Sequence, residues 1–187
     1  IIDPLDGTRE YSQGRDDWAV HVALAVDGRP ALAAVALPAQ RRMLWGVCQD
    51  GARFSGLEGA GQLVDGASRG PNPPRIAASR SQTPSWMPAL QKEFGAELVP
   101  AGSVGNKVAL LLLGSADLYA HRRGLKEWDT CAPEVLARAL GWFVSRLDGT
   151  PVPYNQENPH HDEFLVCRPA AREKLLGALQ SAGAVRR

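Results

Sequence analysis

The sequence predicts a layered α+β sandwich, an antiparallel sheet layer followed by an alternating α/β layer. Three observations carry this. Residues Trp18 to Val26 alternate with period two, and Asp-Gly dipeptides at Asp27-Gly28 and Asp50-Gly51 supply hairpin turns, the pattern of an antiparallel meander. From Gly66 to Pro74 the composition shifts to Gly, Ser, Asn and Pro, which marks a linker between two layers. Beyond it, strand-like and helix-like stretches alternate. The chain, 1–187, is read as a single domain, with 1–65 in the first sheet layer and 75–187 in the second, α/β layer.

Taken in order, Ile1-Ile2 runs as a strand into Asp3, Pro4 fixes the next φ, and a short helix is expected over Arg9 to Gln13, ended by Gly14. In the next strand Trp18, Val20, Val22, Leu24 and Val26 share one face, and Ala19, His21, Ala23 and Ala25 share the other. Both faces are expected to be buried, one bulky and one thin. Strands follow at Ala31 to Leu37 and Met43 to Val47. The second layer is expected to hold a strand at Ile76 to Ser79, a helix at Trp86 to Phe94, a strand at Glu97 to Pro100, a helix from Ser103 to Leu113 and a short strand at Asp117 to Ala120. Asp129 is expected to cap a helix whose Ala132, Val135, Leu136, Ala139 and Leu140 form an apolar stripe closed by Gly141. Strands at Phe143 to Arg146 and Phe164 to Cys167 and an amphipathic helix from Ala170 to Ala182 complete the set.

A formal charge of +1 offers no basic surface for nucleic acid or an anionic membrane. The longest apolar run of note, Val108 to Leu113, is too short to span a bilayer. Cys48, Cys131 and Cys167 are odd in number and widely spaced, which argues against a disulfide scaffold or structural zinc and leaves a reduced cytoplasm as the expected setting.

The chemistry concentrates in Ile1 to Ser12. Ionised Asp3 and Asp6, three residues apart, repel one another unless a cation lies between them, so a divalent metal is expected. The N–H groups of Gly7 and Thr8 suit a phosphate at the start of the following helix. Asp-Gly is also a common turn, and Asp6 or Thr8 could simply cap a helix. A nucleophilic Asp-x-Asp-Gly-Thr arrangement of the haloacid-dehalogenase kind is ruled out by spacing, because the extra residue here rotates the second carboxylate away. Elsewhere, His160-His161-Asp162-Glu163 reads as solvated loop, His21 as a core histidine, and Trp18 and Trp142 as packing. Cys131 near a helix N-terminus is expected to have a lowered thiol pKa and to be prone to oxidation.

Asp3-Pro4-Leu5-Asp6-Gly7-Thr8 resembles the first signature of the inositol monophosphatase superfamily, and Trp128-Asp129-Thr130-Cys131-Ala132-Pro133 resembles its second, with Cys131 where alanine is usual. The resemblance implies the layered fold shared with fructose-1,6-bisphosphatase and a magnesium-dependent, lithium-sensitive phosphatase, with manganese as an alternative ion. It implies Asp3, Asp6, Asp129 and the Leu5 carbonyl as metal ligands, Asp6 and Thr8 as catalytic, Thr8 orienting the attacking water, and Gly7 and Thr8 as phosphate-binding. It also implies an N-terminal portion before Ile1 that carries further Glu ligands, so the chain is read as a piece that is not a competent catalyst alone.

Further strings are similar to the actinobacterial CysQ-type 3′(2′),5′-bisphosphate nucleotidases within that superfamily: Arg9-Glu10-Tyr11, Gly14 to His21, Glu127-Trp128-Asp129, Ser145 to Gly149 and Tyr154-Asn155-Gln156. This implies hydrolysis of adenosine 3′,5′-bisphosphate to AMP and phosphate, a step tied to sulfate assimilation. Ser103, Lys107, Arg122 and Asp129 are the expected substrate contacts. Arg122 stands where inositol phosphatases carry Glu, and a guanidinium there suits a second phosphate. Gln82 departs from the pattern of some relatives. Alternatives are an inositol-1-phosphate or fructose-1,6-bisphosphate phosphatase and an inactive metal- or nucleotide-binding module. The partner is a small-molecule phosphate ester, not nucleic acid or membrane, with a homodimer left open.

Overall fold

The computed structural model describes residues 1–49, 52–68, 70, 72–80 and 83–185. The Asp50-Gly51 turn and the Ser81-Gln82 pair lie outside the described residues.

Five strands, β1 (Ile2–Asp6), β2 (Ala19–Val26), β3 (Arg29–Leu37), β4 (Arg42–Gln49) and β5 (Ala52–Glu58), form one sheet in sequential order, each antiparallel to the next. A five-residue helix, α1 (Thr8–Ser12), joins β1 to the stretch leading into β2. The second sheet is mixed. Its strands are β6 (Arg75–Ser79), β7 (Glu97–Ala101), β8 (Leu118–Lys126), β9 (Phe143–Ser145) and β10 (His160–Cys167), ordered β7-β6-β8-β10-β9. The helices are α2 (Met87–Phe94), α3 (Val104–Leu112), α4 (Glu127–Ala139) and α5 (Arg172–Ser181).

Side-chain parity builds the layers. Ala19, Ala23, Ala33, Val35, Leu37 and Leu44 of the first sheet pack on α3 and α4, which pack in turn on Tyr119, Phe164 and Val166 of the second. The other face of the second sheet, with Ile76, Leu118, Ala120 and Leu165, is covered by Met87 and Leu90 of α2 and Leu175 and Leu179 of α5. The order is therefore sheet, α3 with α4, sheet, α2 with α5, and the N-termini of both inner helices come to the edge where β1 ends.

Three expectations need correction. The thin face of β2 is buried, with His21 at 0% exposure, but the bulky face is not: Val22, Leu24 and Val26 stand open to solvent. They continue across the sheet through Ile2, Leu32 and Trp45, and register pairs Ile2 with Val22 and Leu24 with Leu32. Small alanines admit α4 close to the backbone, so the thin face wins the core. The strand expected at Asp117 to Ala120 runs on to Lys126, and the run from His160 to Glu163 is strand rather than loop, because β8 and β10 pair from Cys167↔Leu118 to His160↔Lys126. A partner strand, not local composition, sets their length.

Candidate metal and phosphate site

Residues three apart on a regular strand point to opposite faces. Asp3 and Asp6 do not, because the β1–β2 register slips between Asp3↔His21 and Asp6↔Ala19. Pro4, inside that slip, has no N–H to hold the ladder. Both carboxylates turn inward and are 7% exposed.

Asp129 comes from the third residue of α4, and its Oδ2 accepts the Lys126 N–H at 2.7 Å. It therefore reaches back to the cap residue, Lys126, instead of being the cap, a correction of three positions. Carboxylate oxygens of Asp3, Asp6 and Asp129 all lie within 4.8 Å of one another. Each carboxylate is fixed by one oxygen. Asp3 Oδ1 accepts Leu5 N–H at 3.0 Å, and Asp6 Oδ2 accepts Ser103 Oγ at 2.6 Å and Gly105 N–H at 2.8 Å. The second oxygen of each accepts no hydrogen bond among the described residues.

The electrostatics fit a cation. Burial, with the charges of Asp6 and Asp3 adding to it, pushes Asp129 up to about 6, and burial aided by Asp6 also raises Asp3. Burial would raise Asp6 too, but the His21 imidazole, the Ser103 hydroxyl and the Gly105 N–H hold it below the ordinary carboxylate range. His21 Nε2 lies 3.2 Å from Asp6 Oδ2, a charge contact rather than an aligned hydrogen bond. No Lys or Arg among the described residues forms an ion pair with any of the three. Hard oxygen donors short of positive charge are the donor set of magnesium, manganese or calcium, and the three carboxylates fit such an ion.

Around the carboxylates, Thr8 Oγ1 donates to the Leu5 carbonyl at 3.2 Å, which brings both expected backbone-turn groups together. Gly7 sits at φ 88°, and a Cβ there would press to 3.2 Å from Ser103 Cβ and 3.3 Å from Trp18, so glycine is required. Lys107, 4% exposed, donates from Nζ to the Ser103 carbonyl at 2.9 Å and lies over the Tyr119 ring; burial lowers its pKa. Arg80 pairs with buried Asp17, which also accepts the Gly102 N–H at 2.6 Å.

Two expected substrate contacts are placed differently. Ser103 caps α3, its Oγ accepting Asn106 N–H at 3.0 Å while donating to Asp6, so the hydroxyl is already committed. Arg122 lies on β8, and its guanidinium donates at 3.1 Å to the carbonyl of Gly183, just beyond α5. Strand parity sends it to the face opposite Tyr119 and Lys107. Cys131 is corrected as well: burial, with Glu134 and Glu127 adding to it, pushes its thiol up to about 12. His161 meets Thr130 Oγ1 at 2.7 Å and takes no part in the carboxylate cluster. His21 and Gly105 were missed. The signal for His21 was available: it is the single polar residue on a face otherwise built of alanine.

The profile of the inositol monophosphatase family matches residues 1–184. The chain is 40% identical over 188 residues to a 3′-phosphoadenosine 5′-phosphate phosphatase of Mycobacterium bovis, covering 97% of this chain and 66% of that protein. It is 32% identical over 162 residues to the human Golgi-resident adenosine 3′,5′-bisphosphate 3′-phosphatase, covering 82% of this chain and 43% of that one. Among solved structures, CysQ from Bacteroides thetaiotaomicron superposes with a TM-score of 0.74 at 28% identity, covering 90% of this chain and 69% of its own. The chain thus spans just under two thirds of the length of the mycobacterial relative.

Proposed function

The chain belongs to the inositol monophosphatase family, and on that premise we propose that its protein is a magnesium-dependent phosphomonoesterase that hydrolyses adenosine 3′,5′-bisphosphate to AMP and phosphate. The observation that carries the reading is the convergence of Asp3, Asp6 and Asp129, from two widely separated motifs, into one cluster of carboxylate oxygens. The choice of substrate is supported by the likeness to the mycobacterial and human phosphatases. The reading treats the chain as one domain whose two sheets jointly support the site. Three free cysteines, two of them buried, accord with a cytoplasmic setting; no described helix is long and apolar enough to cross a membrane.

Asp3, Asp6, Asp129 and the Leu5 carbonyl would hold the ions. Magnesium or manganese bound there supplies positive charge that acidifies water and offsets charge on the leaving oxygen. The chain's own residues do the rest. Thr8 Oγ1 donates its hydrogen bond to the Leu5 carbonyl, which leaves its lone pairs to accept a hydrogen bond from the attacking water and so aim it. The Gly7 and Thr8 N–H groups bind the phosphoryl oxygens. The N-termini of α3 and α4 both face this place and favour negative charge. With Ser103 committed to Asp6 and Arg122 on the far face, the second phosphate is assigned to Lys107, whose charge is felt by Asp6 and which stands beside Arg80. Lys107 retains donors beyond the one given to the Ser103 carbonyl.

Phosphate release by the full-length protein tests this. Adenosine 3′,5′-bisphosphate should give a higher kcat/KM than inositol-1-phosphate or fructose-1,6-bisphosphate, and chelator should abolish turnover. Undiminished turnover in chelator overturns the metal; preference for either alternative substrate overturns the substrate assignment.

A further inference from the structure

We infer that His21 is a positioning residue that sets the spacing of the three carboxylates, and that Gly105 is glycine in order to admit it. The inference rests on the proposed metal site and adds to it a part that neither signature contains.

One side chain touches the support of every member of the cluster. His21 is the cross-strand partner of Asp3 in the β1–β2 register. Its Nε2 lies 3.2 Å from Asp6 Oδ2. Its Nδ1 lies 3.0 Å from the carbonyl of Trp128, the residue before Asp129. A carbonyl only accepts, so Nδ1 is protonated; the Asp6 carboxylate favours the charged ring, and its orientation is fixed with Nε2 towards Asp6. The ring is 0% exposed and cannot swing aside. It is thus a spacer between the end of β1 and the start of α4, two elements that no backbone hydrogen bond joins among the described residues.

The ring needs room, and α3 provides it. A Cβ built on Gly105 would run into His21 Nε2 and lie 3.0 Å from its Cε1 and 3.1 Å from Ala19 Cβ. Gly105 also donates its N–H to Asp6 Oδ2 at 2.8 Å. A methyl there would therefore displace the ring and the donor together. Groups that orient ligands in this way are worth about 10- to 100-fold in metal affinity when removed.

The test is a two-residue cycle in the full-length protein, read by Mn²⁺ affinity from the spectrum of the free ion and by thermal unfolding in chelator. Gly105→Ala, which removes no polar group, should weaken Mn²⁺ binding by about 10-fold or more. His21→Ser should do the same. The double variant should bind no more weakly than His21→Ser, because the two atoms nearest to that methyl both belong to the His21 ring. If His21→Ser fails to fold, Gly105→Ala alone decides. Losses that multiply in the double variant, or an unchanged Mn²⁺ affinity in Gly105→Ala, overturn the inference while leaving the metal site standing. Wild type and Asp6→Asn alike without Mn²⁺ affinity would overturn the site itself, and the inference with it.

Discussion

Ser103 Oγ donates to Asp6 Oδ2 at 2.6 Å across a sequence separation of 97 residues, and the same oxygen accepts the Asn106 N–H as the cap of α3. One hydroxyl thereby holds a helix start and a carboxylate of the Asp3–Asp6–Asp129 cluster in register. Ser103→Ala should cost about 1 kcal/mol of stability from the lost cap and also raise the Asp6 pKa by removing one of its donors. Ser103→Asn, which tolerates the positive φ of 55° at this position and can still cap the helix, should restore part of the stability. Thermal unfolding together with Mn²⁺ titration of the three proteins checks it; equal metal affinity in all three would leave Ser103 as a cap alone.

Asp129 carries a stability cost from burial beside Asp6 and Asp3, one that a cation bound at the cluster would relieve. Its pKa in the fold, about 6, lies above the ordinary value of 3.8, so its stabilising, protonated form is fully present below about pH 4 and is lost as pH rises through about 6. In chelator the protein should therefore lose stability over that window, and Asp129→Asn, which keeps an acceptor for the Lys126 N–H, should flatten the loss. Unfolding temperatures across the window, with and without Mn²⁺, measure this. A wild-type profile identical to that of Asp129→Asn would contradict it.

Lys107, not Arg122, should discriminate the bisphosphate. Lys107→Met keeps the length of the stem and removes the charge, and should lower kcat/KM for adenosine 3′,5′-bisphosphate by about one to two decades relative to inositol-1-phosphate. Arg122→Ala should leave that ratio unchanged and loosen the segment at Gly183, to which its guanidinium donates. Steady-state kinetics on both substrates separates the two; a specificity change in Arg122→Ala alone would reverse the assignment.

Thiol chemistry should follow burial. Cys131 and Cys167 are buried, and burial pushes both thiols up to about 12, for Cys131 with the neighbouring Glu134 adding to it. In the native protein at neutral pH neither should react with iodoacetamide on a timescale on which Cys48, only partly buried, does. Mass-spectrometric mapping of the alkylated site gives the answer, and early labelling at Cys131 would restore the view of it as oxidation-prone.

The outer face of the first sheet presents Ile2, Val22, Leu24, Leu32 and Trp45 together. Contiguous apolar surface of this kind promotes association. The 187-residue chain should show a concentration-dependent mass in sedimentation, and Leu24→Lys combined with Trp45→Glu should abolish it. A monomer at all concentrations would show that the face is tolerated bare.

The sequence by itself determined the two signatures, the succession of an antiparallel half and an alternating α/β half, and most of the elements, because the Asp27-Gly28 turn and the period-two run of β2 are local features that bind a residue to its near neighbours. It also supplied the pair Asp3 and Asp6 and the distant Asp129 as chemical types. Only the tertiary structure decided how they meet. The register slip at Pro4 turns Asp3 and Asp6 to one face, which no count of residues reveals. The burial of the alanine face of β2 over its valine face depended on how closely α4 could approach. The length of β8, and with it the parity that sends Arg122 away from the site, was settled by pairing with β10. His21, read locally as a core histidine, became part of the site because Asp6, Trp128 and the space over Gly105 arrive around it from three separate elements. Contacts between residues far apart in the chain are set by packing, and packing is a property of the whole fold.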